Sequence, residues 1–202
     1  MTQSTATLVY DIRDCRYLNI TGRCTLRCQF CPKHNGSKQV HQYQLDLKRQ
    51  PQAEEVIALL GNTADFTEYV FCGYGEPTLN LATLLRVATE IKARGGSVRV
   101  NTDGLGNGFH RRNILPELAT CVDSLSISLN ADTQAAYERH CQPKLSGAYA
   151  ALLDFIKLAP HYIADVQVSA INGLEGVDIE ACRNMVEVTG AQFKQRTLGV
   201  VG

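Results

Sequence analysis

An excess of charge is the first thing this sequence lacks. Twenty lysines and arginines face twenty aspartates and glutamates, so no global field draws nucleic acid or an anionic membrane to the surface. A local basic patch is compatible with that balance, and a nucleic-acid partner stays open. Long apolar runs are also missing. No stretch approaches the ~20 residues of a membrane helix, and no apolar segment follows a basic start as in a signal peptide. No membrane partner is therefore expected, and the expected compartment is the cytoplasm, where thiols stay reduced. There are no internal repeats, low-complexity tracts or linkers. The 202 residues suffice for a sizeable core and are expected to form a single domain, 1–202. Hydrophobic residues at 45% and charged residues at 20% are ordinary for a globular chain. With such a core, the eight cysteines are not needed as disulfide staples.

Short β-rich runs alternate with helical patterns, which predicts parallel βαβ units. The strand candidates are 17–21, 68–72, 97–102, 123–130, 165–172 and 191–198, and the helix candidates 51–60, 80–94, 112–120, 147–159 and 178–189. Pro51 suits a first turn, and Gly95–Gly96 a helix end. Six strands with right-handed crossovers give an α/β fold, a partial (β/α)6 TIM-type barrel with a curved parallel sheet. Within the strands, Leu125, Ile127 and Leu129 alternate with Ser124, Ser126 and Ser128, and Val98 and Val100 with Arg99 and Asn101. The aliphatic face suits helices. The polar face predicts a solvated interior, where a closed barrel would carry branched aliphatics.

The chemistry concentrates in NITGRCTLRCQFCPK, residues 19–33. Cys24, Cys28 and Cys31 stand at spacings that can wrap one compact metal centre, one ligand short of a closed four-thiolate site. A cluster held by three thiolates keeps one iron open to an outside ligand. The loop, 22–34, follows the first strand candidate and so lies at the C-terminal edge of the sheet, where parallel α/β proteins place their chemistry. Arg23, Arg27 and Lys33 bring positive charge to it. The alternative is a zinc-stabilised, non-catalytic binding module in which His34 completes a Cys3His set. Metal content separates the two.

At these cysteines, with Phe30 before the last, the chain resembles the radical S-adenosylmethionine (SAM) superfamily. Other segments carry the likeness further: FCGYGEPT (71–78), RVNTDGLGN (99–107), SLSISLNA (125–131 with Ser124) and HCQP (140–143). Taken together they are similar to the TatD-associated radical SAM proteins. That resemblance implies a [4Fe–4S] cluster on Cys24, Cys28 and Cys31, with SAM at the fourth iron and Phe30 beside the adenine. It places Tyr74, Gly75 and Glu76 at the SAM amino group, although the family usually has glycine where Tyr74 stands. Asn101 and Asp103 would line the site, and Ser128 would reach the SAM carboxylate or ribose with Asn130 as its neighbour. Ile171 and Asn172 would lie by the ribose or adenine. The implied activity is reductive cleavage of SAM to a 5′-deoxyadenosyl radical that abstracts hydrogen from a substrate.

An external one-electron reductant is a necessary partner for such an enzyme. The expected open side of the barrel would admit a protein or other large-molecule substrate, and activation of a glycyl radical enzyme is an alternative within the class. The DTQAAYERHCQPKLSG stretch after the fourth strand is expected to form a short helix and a loop, and Cys141, expected in that loop, is a candidate hydrogen-atom donor. Cys121 and Cys182 are expected in the core, and Cys72 by the cavity.

Overall fold

The computed structural model describes residues 6–37 and 39–198; the ends of the expected domain, 1–5 and 199–202, and Lys38 lie outside the described residues. In chain order the strands are β1 (Val9–Ile12), β2 (Cys15–Leu18), β3 (Gln39–Val40), β4 (Tyr43–Gln44), β5 (Glu68–Phe71), β6 (Val98–Thr102), β7 (Ser124–Ser128), β8 (Asp165–Asn172) and β9 (Gln192–Thr197). Seven of them make one sheet in the order β1-β2-β5-β6-β7-β8-β9. From β2 to β9 every pairing is parallel. The six expected strands are thus present in the expected order.

Two features were not anticipated. β1 adds an antiparallel edge to β2, and β3 and β4 form a small separate ribbon. β3 and β4, at two residues each, are too short to show a period, and β1 precedes the strand–helix alternation. The first parallel strand also starts earlier than expected and ends at Leu18, which leaves residues 19–21 as the run into the cysteine loop.

The helices are α1 (Ala53–Ile57), α2 (Leu81–Ala93), α3 (Gly106–His110), α4 (Leu115–Leu118), α5 (Gln134–Cys141), α6 (Ala148–Leu158) and α7 (Ile179–Glu187). α2 ends as the sequence suggests. Gly95 takes φ +79° and Gly96 N–H reaches back to the Ile91 carbonyl at 2.9 Å, closing the last turn. α1 is shorter than the predicted 51–60: Glu55 caps the Gln52 N–H at 2.8 Å, so the helix begins after Pro51. The predicted helix at 112–120 shrinks to one turn behind Pro116.

Register explains the two-faced strands. Leu18, Phe71, Val100, Leu125, Val166 and Val168 point outward and are buried against Leu84, Ile91, Leu118, Leu152, Phe155 and Val186 of the helices. The opposite residues face inward in matched rows. One row runs Tyr17–Val70–Arg99–Ser124, the next Asn101–Ser126–Gln167–Gln192, and a third Ser128–Ser169–Lys194. Apart from Tyr17 and Val70, each of these side chains is polar. Cys121 and Cys182 are buried, as expected of core thiols.

Candidate active site

The cysteine loop leaves the sheet after Leu18 and is fastened to the far end of α5. Arg27 N–H bonds to the Cys141 carbonyl at 3.0 Å, Gln29 N–H to the His140 carbonyl at 2.9 Å, and Lys144 N–H to the Thr25 carbonyl at 2.9 Å. This ladder absorbs backbone donors and acceptors that an irregular loop would otherwise leave to solvent. It also explains the HCQP run, whose backbone is the partner strand of the loop. Cys24, Cys28 and Cys31 are each half-buried and unpaired as disulfides. The Cys24 sulfur accepts from Leu26 N–H at 3.4 Å and lies 3.9 Å from the Asp103 carboxylate. Burial and Asp103 push the Cys24 thiol up to about 12. Contact with Cys141, then burial, raises Cys28, and burial raises Cys31. Metal binding would have to displace these protons. Phe30 packs partly buried against the main core.

The FCGYGEPT loop presses on the same segment from below. A Cβ on Gly75 would lie 2.2 Å from the Thr21 carbonyl oxygen and 2.6 Å from that of Arg23. Only glycine permits this approach. Glu76 N–H bonds to the Arg23 carbonyl at 2.8 Å. The Glu76 carboxylate is buried and accepts four hydrogen bonds, from Thr78 N–H (3.1 Å), Thr78 Oγ1 (2.7 Å), Thr102 Oγ1 (2.8 Å) and Asp103 N–H (2.6 Å). It therefore ties the loop after β5 to the loop after β6. Asp103, buried beside it, accepts from Leu105 N–H at 3.0 Å and from the Thr25 hydroxyl. Burial and Asp103 push the Glu76 carboxyl up to about 8, and burial raises Asp103. Tyr74 turns away: its ring is buried with Tyr10 and Leu45, and its hydroxyl donates to the Gln39 carbonyl at 2.6 Å. The tyrosine side chain thus anchors the β3–β4 ribbon.

Further along the edge, Asn130 is buried with φ +63°. Its side-chain oxygen accepts from the Arg196 guanidinium at 3.0 Å, and its Nδ2 lies 3.9 Å from the Cys141 sulfur. Asn101, in the inner face, accepts from Arg99 at 3.2 Å. Ser128 is half-buried in the third inner row, and Ile171 is buried beside Arg196 in the β8–β9 register. Asn172, the last residue of β8, is exposed. Cys72 is half-buried at the end of β5.

One expectation is corrected. Cys141 is the last residue of α5, fully buried against Cys28, where a substrate-facing loop was expected. Thr133 caps α5 through Ala136 N–H at 3.3 Å, and the short helix expected in this stretch runs on through Cys141. Sequence reasoning missed the α5 clamp, the roles of Thr25, Thr78 and Thr102, and Arg196. For Arg196 a signal existed: it follows Gln192 and Lys194 in strict alternation.

Three thiols on one loop, each half-buried at the C-terminal edge, are a soft donor set suited to iron–sulfur ligation. Among the described residues no three Cys, His, Asp or Glu side chains converge on a single ion. His34, the fourth zinc ligand in the alternative, is exposed.

A protein-family model described as the Radical SAM superfamily matches residues 18–188. The chain belongs to the radical SAM superfamily. The narrower TatD-associated grouping is not reached by this match. Over 91 residues, this radical SAM chain is 31% identical to the tungsten-containing aldehyde ferredoxin oxidoreductase cofactor-modifying protein of Pyrococcus furiosus. That alignment takes in 44% of this chain and 23% of the relative, so the chain spans less than a quarter of the relative's length. In fold it is similar to TYW1 with a lysine-pyruvate adduct bound (TM-score 0.64, 15% identity, 94% of this chain and 67% of that one). It is also similar to Streptococcus suis SuiB bound to S-adenosylmethionine (TM-score 0.67, 13% identity, 92% and 40%). Another structure shows SuiB bound to the precursor peptide SuiA. Members of the superfamily are enzymes, and no described helix is long and apolar enough to cross a membrane.

Two predictions follow from the Glu76 node. Gly75→Ala forces backbone apart at Thr21 and Arg23; it lowers unfolding free energy by about 1–3 kcal/mol, read by urea denaturation, and a wild-type midpoint would refute the close-approach account. Because burial raises the Glu76 and Asp103 carboxyls in the folded state, the folded chain holds protons that the unfolded chain releases. Stability of the metal-free protein therefore falls as pH rises from the ordinary carboxylate range toward about 8. Thermal melts across that interval should show the decline, and Glu76→Gln should flatten it; a rise with pH would contradict the assignment.

Proposed function

We propose that this radical SAM protein binds a [4Fe–4S] cluster through Cys24, Cys28 and Cys31 and S-adenosylmethionine at the remaining iron. When bound, the pair supplies one-electron reductive cleavage of SAM to methionine and a 5′-deoxyadenosyl radical that abstracts hydrogen from a substrate. The observation that carries this reading is the meeting of three unpaired, half-buried thiols with the Gly75–Glu76 loop at one edge of a polar-lined parallel sheet.

The protein's own part is to bind, orient and exclude. Gly75 brings the backbone of 74–76 against the cysteine loop, so the carbonyls of that turn are the groups offered to the SAM ammonium. Glu76, with four internal donors, holds those carbonyls in place from behind. Phe30 and Ile171 supply apolar surface for the adenine, and Asn101, Ser128 and Asn130 supply hydrogen bonds for the ribose and carboxylate. Cys141, fixed beside Cys28, acts on that ligand and not on the substrate.

The inner rows with Arg99, Gln167, Lys194 and Arg196 suit a polar substrate. The peptide-bound state of SuiB, a protein of similar fold, supports a peptide, protein or other large-molecule substrate. An external one-electron reductant starts the reaction, and the setting proposed is the cytoplasm.

Anaerobic reconstitution with dithionite and SAM should yield 5′-deoxyadenosine, measured by chromatography. Cys24→Ala, Cys28→Ala and Cys31→Ala should each lose most of the iron and all of that product. His34→Ala should keep both. Zinc in place of iron, lost with His34, would overturn the proposal.

A further inference from the structure

A second surface lies on the other side of the cysteine loop. A cleft of about 310 Å³ is lined there by the loop itself, by Leu79 and Phe109, and by Lys144 and Leu145. Cys24 borders it and none of the inner-row strand residues does, so it reaches the cysteine loop without opening on the polar rows of the sheet. Its charge is one-sided. Arg23, Lys33, His34 and Lys144 line it, and Arg27 is exposed close by.

These cations are held at the loop and left without counter-ions. The Lys144 ammonium donates to the Cys24 carbonyl at 3.0 Å, and that of Lys33 donates to the Gly22 carbonyl. Arg23 lies over the Phe109 ring, 5.9 Å from its centre. Among the described residues none of Arg23, Arg27, Lys33 and Lys144 forms an ion pair, whereas Arg16, Arg49, Lys92, Arg99, Arg112 and Arg183 each do. In a chain whose formal charge is zero, so local an excess orients the molecule toward a negatively charged face.

We propose that this cationic face of the cysteine loop is the docking surface for an acidic one-electron carrier protein. The proposal rests on the radical SAM reading above and names the partner of that site. One electron leaves the carrier and enters the cluster held by Cys24, Cys28 and Cys31; no bond is made or broken. The position decides between occupants. An electron donor needs only to approach the cluster, and this face reaches the backbone of Cys24. A substrate bound here would lie outside the polar interior. RNA, the other polyanion, binds best on a row of aromatic faces, and the cleft offers only the Phe109 ring, with Arg23 beside it, and the His34 imidazole.

The test is anaerobic calorimetric titration of the reconstituted protein with an acidic bacterial two-[4Fe–4S] ferredoxin, at low and high salt. Binding should weaken steeply with salt, and the Arg27→Glu/Lys144→Glu variant should bind about tenfold more weakly or worse. Lys157→Glu, a charge reversal of the same kind at one exposed position of α6, should stay within about twofold. Dithionite should still reduce the cluster of the double variant. Arg27→Gln, whose side chain makes no hydrogen bond among the described residues, gives the same direction if the double variant fails to load iron. Salt-independent binding, equal loss in Lys157→Glu, or an RNA oligonucleotide that binds this face while ferredoxin does not would overturn the proposal. Failure to load iron in the unaltered protein would instead overturn the radical SAM reading.

Discussion

The candidate site depends on one buried carboxylate. Glu76 gathers donors from its own turn and from the loop after β6, while the glycine before it lets that turn lie against the carbonyls of Thr21 and Arg23. Three consecutive strand ends are thereby held in fixed relation: the cysteine loop after β2, the turn after β5 and the segment at Asp103 after β6. Burial raises the affinity of this carboxyl for a proton, and a buried polar group with no cationic partner is costly unless hydrogen bonds satisfy it. Here four of them do, and the arrangement persists because each donor is itself fixed by the strand or turn that carries it.

From the other side the loop is held by α5. Its backbone ladder to 140–144 places Cys28 against Cys141 and leads on to Asn130 and Arg196. The cysteine loop thus has little freedom at either flank, although it contains little regular secondary structure. Such preorganisation matters for a bound cluster, because ligands already in place leave less ordering to be done on binding. The two faces of the loop differ in charge. Toward Asp103 and Glu76 lie buried carboxyls, and toward solvent lie exposed cations.

Much of this was legible in the residues. Strand alternation such as Ser124–Ser128 against Leu125 and Ile127 exposes the polar interior, because a two-residue period survives in a strand with one wet face, and the strand–helix alternation exposes the parallel sheet. The cysteine spacing and the Gly-Glu-Pro turn are local, so they too are visible. What stayed hidden is non-local. Nothing in the sequence near Cys141 announces that its carbonyl receives Arg27 N–H, more than a hundred residues away in the chain. Tyr74 looked like a departure at a cofactor turn, yet its ring belongs to a small second core with Tyr10 and Leu45. The β3–β4 ribbon escaped because two residues cannot display a period, and β1, as long as β2 and β5, escaped because it precedes the strand–helix alternation.

The central claim is that Cys24, Cys28 and Cys31 hold a cluster with one iron open to S-adenosylmethionine. Electron paramagnetic resonance of the anaerobically reconstituted, dithionite-reduced protein tests it most directly. The account predicts a reduced [4Fe–4S]⁺ signal whose shape changes on adding S-adenosylmethionine. A cluster signal indifferent to S-adenosylmethionine, or a diamagnetic protein containing zinc, would contradict it.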